Sequence, residues 1–328
     1  MLGKQGHAAN GTGRKSAVLP ILLAAPLAIL TAASFLGAWW GPLDILSHLR
    51  VQWAALGLLS LLIALHANSW TAAVLSLLLL AANIVPLAPY VAGFSEARSG
   101  TEPQIRVMTL NLHGSDTSPE AFQALIEDED PDIVLLTELP EDETRLLAPV
   151  SRRYPHRTES RRGSPFDVVL LSRWRLESWS DDRSAASFLP VLTARLCDPG
   201  PKTRCLTLVG LHAARPFGSG AKLQAAQLRL VAEAVRAVPT GHVVVAGDLN
   251  LTPWSAAFDR FVREAGLSGK PRERGLAATW MSRFPLFGLG IDHVLAGPGM
   301  EVLRSRVGPD VGSDHFPVTA HLALRSNP

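Results

Sequence analysis

Carboxylate, amide and imidazole side chains stand at the ends of short apolar runs through the last two-thirds of this 328-residue chain. Asn111 closes the run Ile105–Asn111. Glu138 follows Ile133–Thr137, and His212 closes Leu206–His212. Asp248 and Asn250 follow Val243-Val-Val-Ala-Gly247, Asp292 opens Asp292–Ala296, and Ser313-Asp314-His315 precedes Val318–Leu322. Strand ends gather on one edge of a sheet, where α/β proteins build their sites. Carboxylate oxygens suit hard cations such as Mg²⁺ or Mn²⁺, and the thiolate or multiple-histidine spacing of a zinc site is absent from this set. Each residue alone has a plainer use. Asn or Asp after a strand caps a turn, Glu138 and Asp248 could start helices, and His212 could be a satisfied core histidine. Their ordered recurrence at strand ends is what points to metal-assisted hydrolysis.

The elements that must position them are short β-like runs separated by helical stretches. Further strands are expected at Asp167–Ser172, Val191–Leu196 and Val302–Val307, and helices at Pro119–Glu127, Glu141–Val150, Gly220–Val238 and Pro253–Ala265. In Gly220–Val238 the apolar residues Leu223, Ala226, Leu230, Val231 and Ala234 fall largely on one face. Many strands with short connections and interleaved helices imply a layered α/β sandwich.

Gly247-Asp-Leu-Asn250 and Gly312-Ser-Asp-His315, with Leu110-Asn111, Thr137-Glu138 and Ile291-Asp292-His293, resemble the motifs of the endonuclease/exonuclease/phosphatase superfamily over about residues 103–325. That superfamily includes metal-dependent nucleases, inositol-polyphosphate phosphatases and sphingomyelinases. The resemblance implies a four-layer sandwich: two packed, mostly antiparallel sheets flanked by helices. It also implies roles. His315 is the general base on water, and Asp292 holds its other ring nitrogen. Glu138 binds the divalent metal, with Asn111 and Asp314 beside it. Asp248 and Asn250 place the phosphate and the attacking water, and Asn111 and Arg215 contact the phosphate. Arg215 reads equally well as a solvated loop arginine. The segment Leu211-His212-Ala-Ala-Arg-Pro216 is similar to the histidine-bearing branch, in which His212 donates to the leaving or phosphoryl oxygen.

The first hundred residues differ in composition. Lys4, Arg14, Lys15, Arg50 and Arg98 face only Asp44 and Glu96, a net +3, while residues 101–328 hold 26 basic and 27 acidic residues, net −1. No charge interrupts 16–43 or 51–95. A span needs about 20 apolar residues, so three transmembrane helices are expected at about 18–40, 51–67 and 71–92. These follow a cytoplasmic tail over 1–17 and precede a linker over 94–103 and a catalytic domain over 104–325. A cleaved signal peptide would have a shorter apolar core than the first span. The basic N-terminus is expected on the cytoplasmic side, and three crossings then place the catalytic domain outside. Cys197 and Cys205 bracket a turn-rich loop between two apolar runs. They read either as a disulfide across a hairpin, which persists outside the cytosol, or as two buried thiols.

Near-neutral charge in the C-terminal part excludes a strongly basic nucleic-acid binder. The expected activity is that of a membrane-tethered phosphoesterase acting outside the cytoplasm on a lipid-linked phosphate or pyrophosphate. The alternatives are a nuclease of the same fold, disfavoured by the −1 domain charge, and a non-catalytic binding module. Arg152-Arg-Tyr-Pro-His-Arg157 with Arg161 and Arg162 reads as a solvated loop or as a contact to anionic lipid or phosphate. Trp280–Gly290 reads as a satellite cluster or as the rim of the substrate mouth.

Overall fold

The computed structural model describes residues 12–91, 104–114, 117–159, 166–200, 203–267 and 275–325, without the side chains of 12–19 and 23. The expected linker over 94–103, most of the N-terminal tail, and Arg161 and Arg162 lie outside the described residues. The chain divides into two compact units, Met1–Ala88 and Pro89–Pro328.

The first unit is built of α1 (Thr12–Leu36), a 3₁₀ segment (Gly41–Leu49), α2 (Arg50–His66) and all but the last three residues of α3 (Trp70–Val91). The 3₁₀ segment leads directly into α2, so the apolar rod runs over Gly41–His66 and is longer than the sequence suggested. Among the described residues, that rod and Trp70–Val91 are the two helices long and apolar enough to cross a membrane; Pro20–Leu36 is apolar but shorter. Polar side chains tie the helices together. Ser60 and Ser76 hydroxyls pair at 2.8 Å, and Asn83 Nδ2 donates to Thr31 Oγ1 at 3.1 Å. Such bonds tie together helices whose surfaces are otherwise apolar.

The second unit is a sandwich. One sheet has the order β10–β11–β1–β2–β4–β3, from β1 (Ile105–Asn111), β2 (Ile133–Thr137), β3 (His156–Arg157), β4 (Val168–Ser172), β10 (Met300–Val307) and β11 (Val318–Leu324). The other has the order β5–β6–β7–β8–β9, from β5 (Arg175–Asp182), β6 (Val191–Cys197), β7 (Cys205–His212), β8 (Val243–Asp248) and β9 (Asp292–Ala296). Each sheet has one parallel pair at its centre, β1 with β2 and β7 with β8, among antiparallel neighbours. Connections between parallel strands must cross over, and these carry α4 (Pro119–Glu129) and α6 (Gly220–Arg236).

Side-chain alternation sorts the core into layers. Ile105, Val107, Ile133, Leu135, Leu208, Val244, Ala246 and Val294 meet between the sheets. Met108, Leu110, Val134 and Leu136 point the other way, onto Phe122, Leu125 and Ile126 of α4. On the second sheet Val209, Val243 and Val245 cover Leu228 and Val231 of α6 and Phe258 of α7 (Ala256–Ala265). The result is helix, sheet, sheet, helix. The helix expected over 141–150 is shorter, α5 (Thr144–Leu147) followed by a 3₁₀ turn. α7 starts after Ser255, whose hydroxyl accepts from the Phe258 N–H and fixes the start. Cys197 and Cys205 are register partners in the β6–β7 hairpin and form a disulfide with Cα atoms 4.1 Å apart.

Candidate active site

Alternation also explains where the site lies. Asn111, His212, Asp248 and Asp292 have the same parity as Val107, Leu208, Ala246 and Val294, which fill the space between the sheets. The inter-sheet layer is therefore apolar along most of its length and turns polar at one end. All four residues are buried. Register brings them level: His212 pairs with Asp248, Asp248 with Asp292, and Asn111 with Thr137.

Glu138 breaks the alternation. It follows the inward-facing Thr137 and would point outward, but its backbone has φ +50°. Left-handed backbone is uncommon for a residue other than glycine, and here it turns the carboxylate back toward the site. Asn111 Nδ2 donates to Glu138 Oε1 at 2.9 Å and to Asp248 Oδ2 at 3.3 Å, joining the two sheets. His113 (φ +45°) and Asn250 (φ +51°) share this conformation. Among the described residues only six besides glycine have positive φ, so half of them line this site. Concentrated strain of this kind marks functional sites. Gly247 is needed for a related reason. At φ +134°, an added Cβ would lie 1.9 Å from the Leu211 carbonyl oxygen, where β7 and β8 lie side by side.

His315 Nδ1 lies 2.9 Å from Asp292 Oδ2, and its Nε2 is 3.9 Å from both Asp248 Oδ2 and Asp314 Oδ1. His212 Nε2 stands 3.5 Å from Asp248 Oδ2 and 3.6 Å from Glu138 Oε1, with the Phe166 ring against its imidazole at 4.8 Å. Burial acts against charge on His315, but Asp292, then Asp248 and Asp314, outweigh it and push the imidazole up to about 10. Burial acts against charge on Asp292 as well, yet the His315 partnership holds it below the ordinary carboxylate range. Asp248 is pushed up to about 6, first by burial and then by the Asp292 charge, against the pull of His315 and His212. The metal-free site is therefore an ionised Asp292, an imidazolium at His315 and an Asp248 that takes up a proton just below neutral pH.

Asp248, Asp292 and His315 have ligand-type atoms within 4.8 Å of one another. In that group His315 Nδ1 already faces Asp292, which favours a hydrogen-bonded dyad over a coordination shell. The carboxylates on the other side suit a hard divalent cation. Glu138 has Oε2 uncommitted to Asn111. Asp314 accepts from Trp280 Nε1 at 3.2 Å through Oδ2, and its buried Oδ1 accepts no hydrogen bond.

Asn250 and Arg215 stand in different surroundings. Asn250 uses Nδ2 on the Ala213 carbonyl (2.8 Å), and its backbone N–H on Asp248 Oδ1 (2.8 Å), which leaves its amide oxygen as the free acceptor. Arg215 is exposed on the loop after β7, and among the described residues no hydrogen bond or ion pair joins its side chain to the site. Two neighbours, His113 and Thr279, were not reached from the sequence, and a third, Trp280, was read there only as part of a rim or satellite cluster. His113 stands 3.3 Å from Asp314 Oδ1 and 3.7 Å from Glu138 Oε2 through Nδ1. Trp280 holds Asp314. Thr279 accepts from the Asp292 N–H at 3.0 Å and hydrogen-bonds its carboxylate. A histidine beside Gly114 in the turn after Asn111 was the available signal for the first. Beyond Trp280, Phe284, Leu286 and Phe287 are exposed, at 63%, 80% and 62%.

The sequence profile of the Endonuclease/Exonuclease/phosphatase family matches residues 108–315. No curated protein matches the chain. Among solved structures, an endonuclease/exonuclease/phosphatase from Beutenbergia cavernae has a TM-score of 0.57 at 21% identity, over 69% of this chain and 72% of its own. Sphingomyelinase C from Streptomyces griseocarneus has a TM-score of 0.51 at 20% identity, covering 67% and 99%. D. rerio TDP2, complexed with a single-strand DNA product, has 0.53 at 18% identity, covering 68% and 100%. These likenesses repeat the fold, and the profile spans more than half of the chain. The chain belongs to the endonuclease/exonuclease/phosphatase family and is a metal-dependent hydrolase of phosphoric esters.

Proposed function

We infer that this protein is a membrane-tethered phosphoesterase whose substrate is a lipid-linked phosphate or pyrophosphate, hydrolysed outside the cytoplasm with Mg²⁺ or Mn²⁺. The observation that carries the chemistry is the hydrogen-bonded link from Glu138 through Asn111 to Asp248, with the Asp292–His315 pair alongside. Glu138 and Asp314 would hold the cation, which supplies charge for the phosphoryl oxygens. Asn111, whose amide already bridges Glu138 and Asp248, acts as a positioning residue for the metal-binding carboxylate. Asp292 fixes the ring of His315 through Nδ1 and leaves Nε2 to accept a proton from water. That step needs a neutral ring. Part of the negative field that keeps the proton on would be offset by a cation held by Glu138 and Asp314, which would bring the imidazole back toward its ordinary range. The Asn250 amide oxygen accepts from the attacking water. His212 donates to the leaving or phosphoryl oxygen.

Two lines support the lipid reading. Two described helices of the first unit are long and apolar enough to cross a membrane. The exposed Phe284, Leu286 and Phe287 beside Trp280 suit a substrate with an apolar part. The outward orientation is supported by the basic N-terminus, by a third apolar helix and by the disulfide. With only two crossings the domain would face the cytoplasm.

The test is a substrate panel with purified full-length protein in Mg²⁺ and in Mn²⁺: lipid pyrophosphates, lipid phosphodiesters and single-stranded DNA. Metal-dependent turnover of a lipid substrate with DNA left intact is expected. Preferential DNA cleavage would make it a nuclease, and full activity in EDTA would remove the metal from the mechanism. A reporter fused after Pro328 that works only outside the cytoplasm tests orientation.

A further inference from the structure

His113 belongs to no role given so far. It lies in the turn after β1, where its backbone N–H donates to Asn111 Oδ1 at 3.0 Å and the Gly114 N–H donates to the Glu138 carbonyl at 2.8 Å. These bonds bring its ring between two carboxylates from different parts of the chain. Each carboxylate has one oxygen held by another donor. Asn111 Nδ2 occupies Glu138 Oε1, and Trp280 Nε1 occupies Asp314 Oδ2. The remaining oxygens, Oε2 and Oδ1, are the ones at 3.7 and 3.3 Å from His113 Nδ1. The approach to Asp314 Oδ1 lacks hydrogen-bond geometry, as expected of two donor atoms of one coordination shell. Donor atoms on adjacent corners of an octahedral site lie roughly 3 Å apart when each is about 2.1 Å from the ion. The His113 side chain is 46% exposed, so other corners are open to water and to phosphate oxygens.

We propose that His113 Nδ1 is a ligand of the divalent cation, beside Glu138 Oε2 and Asp314 Oδ1, and that this nitrogen makes the site prefer a first-row transition ion such as Mn²⁺ to Mg²⁺. The inference rests on the metal reading above and sharpens it. Mg²⁺ prefers oxygen and keeps its water, so an imidazole adds little to its binding. Transition ions accept imidazole readily, and their affinity for a mixed nitrogen and oxygen site is higher.

The experiment is binding of Mn²⁺ and Mg²⁺ to the full chain in detergent by calorimetry, with pulsed electron paramagnetic resonance on the Mn²⁺ complex. His113→Ala is the first variant. His113→Asn is the second, because asparagine tolerates the left-handed backbone and guards against a folding defect. The wild type should bind Mn²⁺ more tightly than Mg²⁺ and show a ¹⁴N coupling from the ring. Both variants should bind Mn²⁺ about tenfold or more weakly, lose the ¹⁴N coupling, and change Mg²⁺ affinity less than twofold. Unchanged Mn²⁺ affinity and ¹⁴N coupling in both variants would overturn the inference while leaving the metal reading intact. Glu138→Ala separates the two: if it leaves Mn²⁺ binding unchanged, the metal reading itself fails.

Discussion

Asp248 and Asp130 are both aspartates of one sandwich, and they sit at opposite ends of it in opposite electrostatic conditions. Asp130 caps α4 in the left-handed conformation, near the start of β1 and β2. Arg173 (2.5 Å), Arg106 (2.6 Å) and Arg153 converge on its carboxylate. Their hydrogen bonds and charges, Arg173 foremost, hold it down at about 2 against the effect of burial. Asp248 is pushed up to about 6. Among the described residues, Glu138, Asp248 and Asp314 find ion-pair partners only in His113, His212 and His315. One pole neutralises its acids with permanent cations and gains a rigid clamp. The other leaves anionic oxygens facing titratable rings, which is what a site for a dissociable cation and a proton needs. The two poles are about 17 Å apart along β1.

The contrast can be broken by substitution, and the largest effect belongs to the active pole. His315→Ala should lower kcat more than about a hundredfold, the lower end for a general base, and should also lower the melting temperature, because it leaves the buried Asp292 carboxylate without its partner. A near wild-type kcat would move the base elsewhere. Next is Asp292→Asn. In the metal-free protein the His315 imidazolium should persist to about pH 10. Its stabilising contribution is full below about 6.5 and disappears as the pH rises through the folded value. In the variant the ring should titrate far lower, read by ¹⁵N NMR of labelled histidine; no change would mean that Asp292 does not hold the proton.

Smaller effects are expected away from the reacting groups. Gly247→Ala must relieve a 1.9 Å clash at a φ that suits only glycine. It should cost at least about 2 kcal/mol, or roughly 4–8 °C in calorimetric Tm for a domain of this size. An unshifted Tm would show that β8 moves away from β7 at little cost. The smallest change is Asp130→Asn, about 1 kcal/mol near neutral pH and no loss of kcat. A depressed pKa stabilises above the unfolded value and is lost on acidification, so the Tm gap to wild type should close between about pH 4 and pH 2. A gap that persists in acid would mean that the arginines do not act through the carboxylate charge.

Legibility from sequence followed burial. β1, β2 and β9 were readable to the residue, because both their faces are covered and nearly every residue in them is buried. β5, Arg-Leu-Glu-Ser-Trp-Ser-Asp-Asp, escaped notice: it is an edge strand, mostly exposed, with no apolar face to advertise it. The residues at strand ends were legible because polar groups interrupt apolar runs there. What tertiary structure adds is direction. Nothing in Thr137-Glu138-Leu139 announces that Glu138 turns inward at positive φ, or that Trp280 reaches Asp314 from a distant loop. The pairing of the two cysteines depended likewise on a register that spacing only permitted.

The register of β1 has a consequence for how the molecule is made. β1 lies between β2 and β11, and Ile105 pairs with Leu322. At about 5–20 residues per second, one edge of β1 stays open for on the order of ten to forty seconds of synthesis after it emerges. β11, the last of the described strands, is thus an interior strand of the sheet, and β10 has no neighbour without it. Clipping the chain before Val318 would remove the partner of two strands at once, and with it the support of the loop that carries His315.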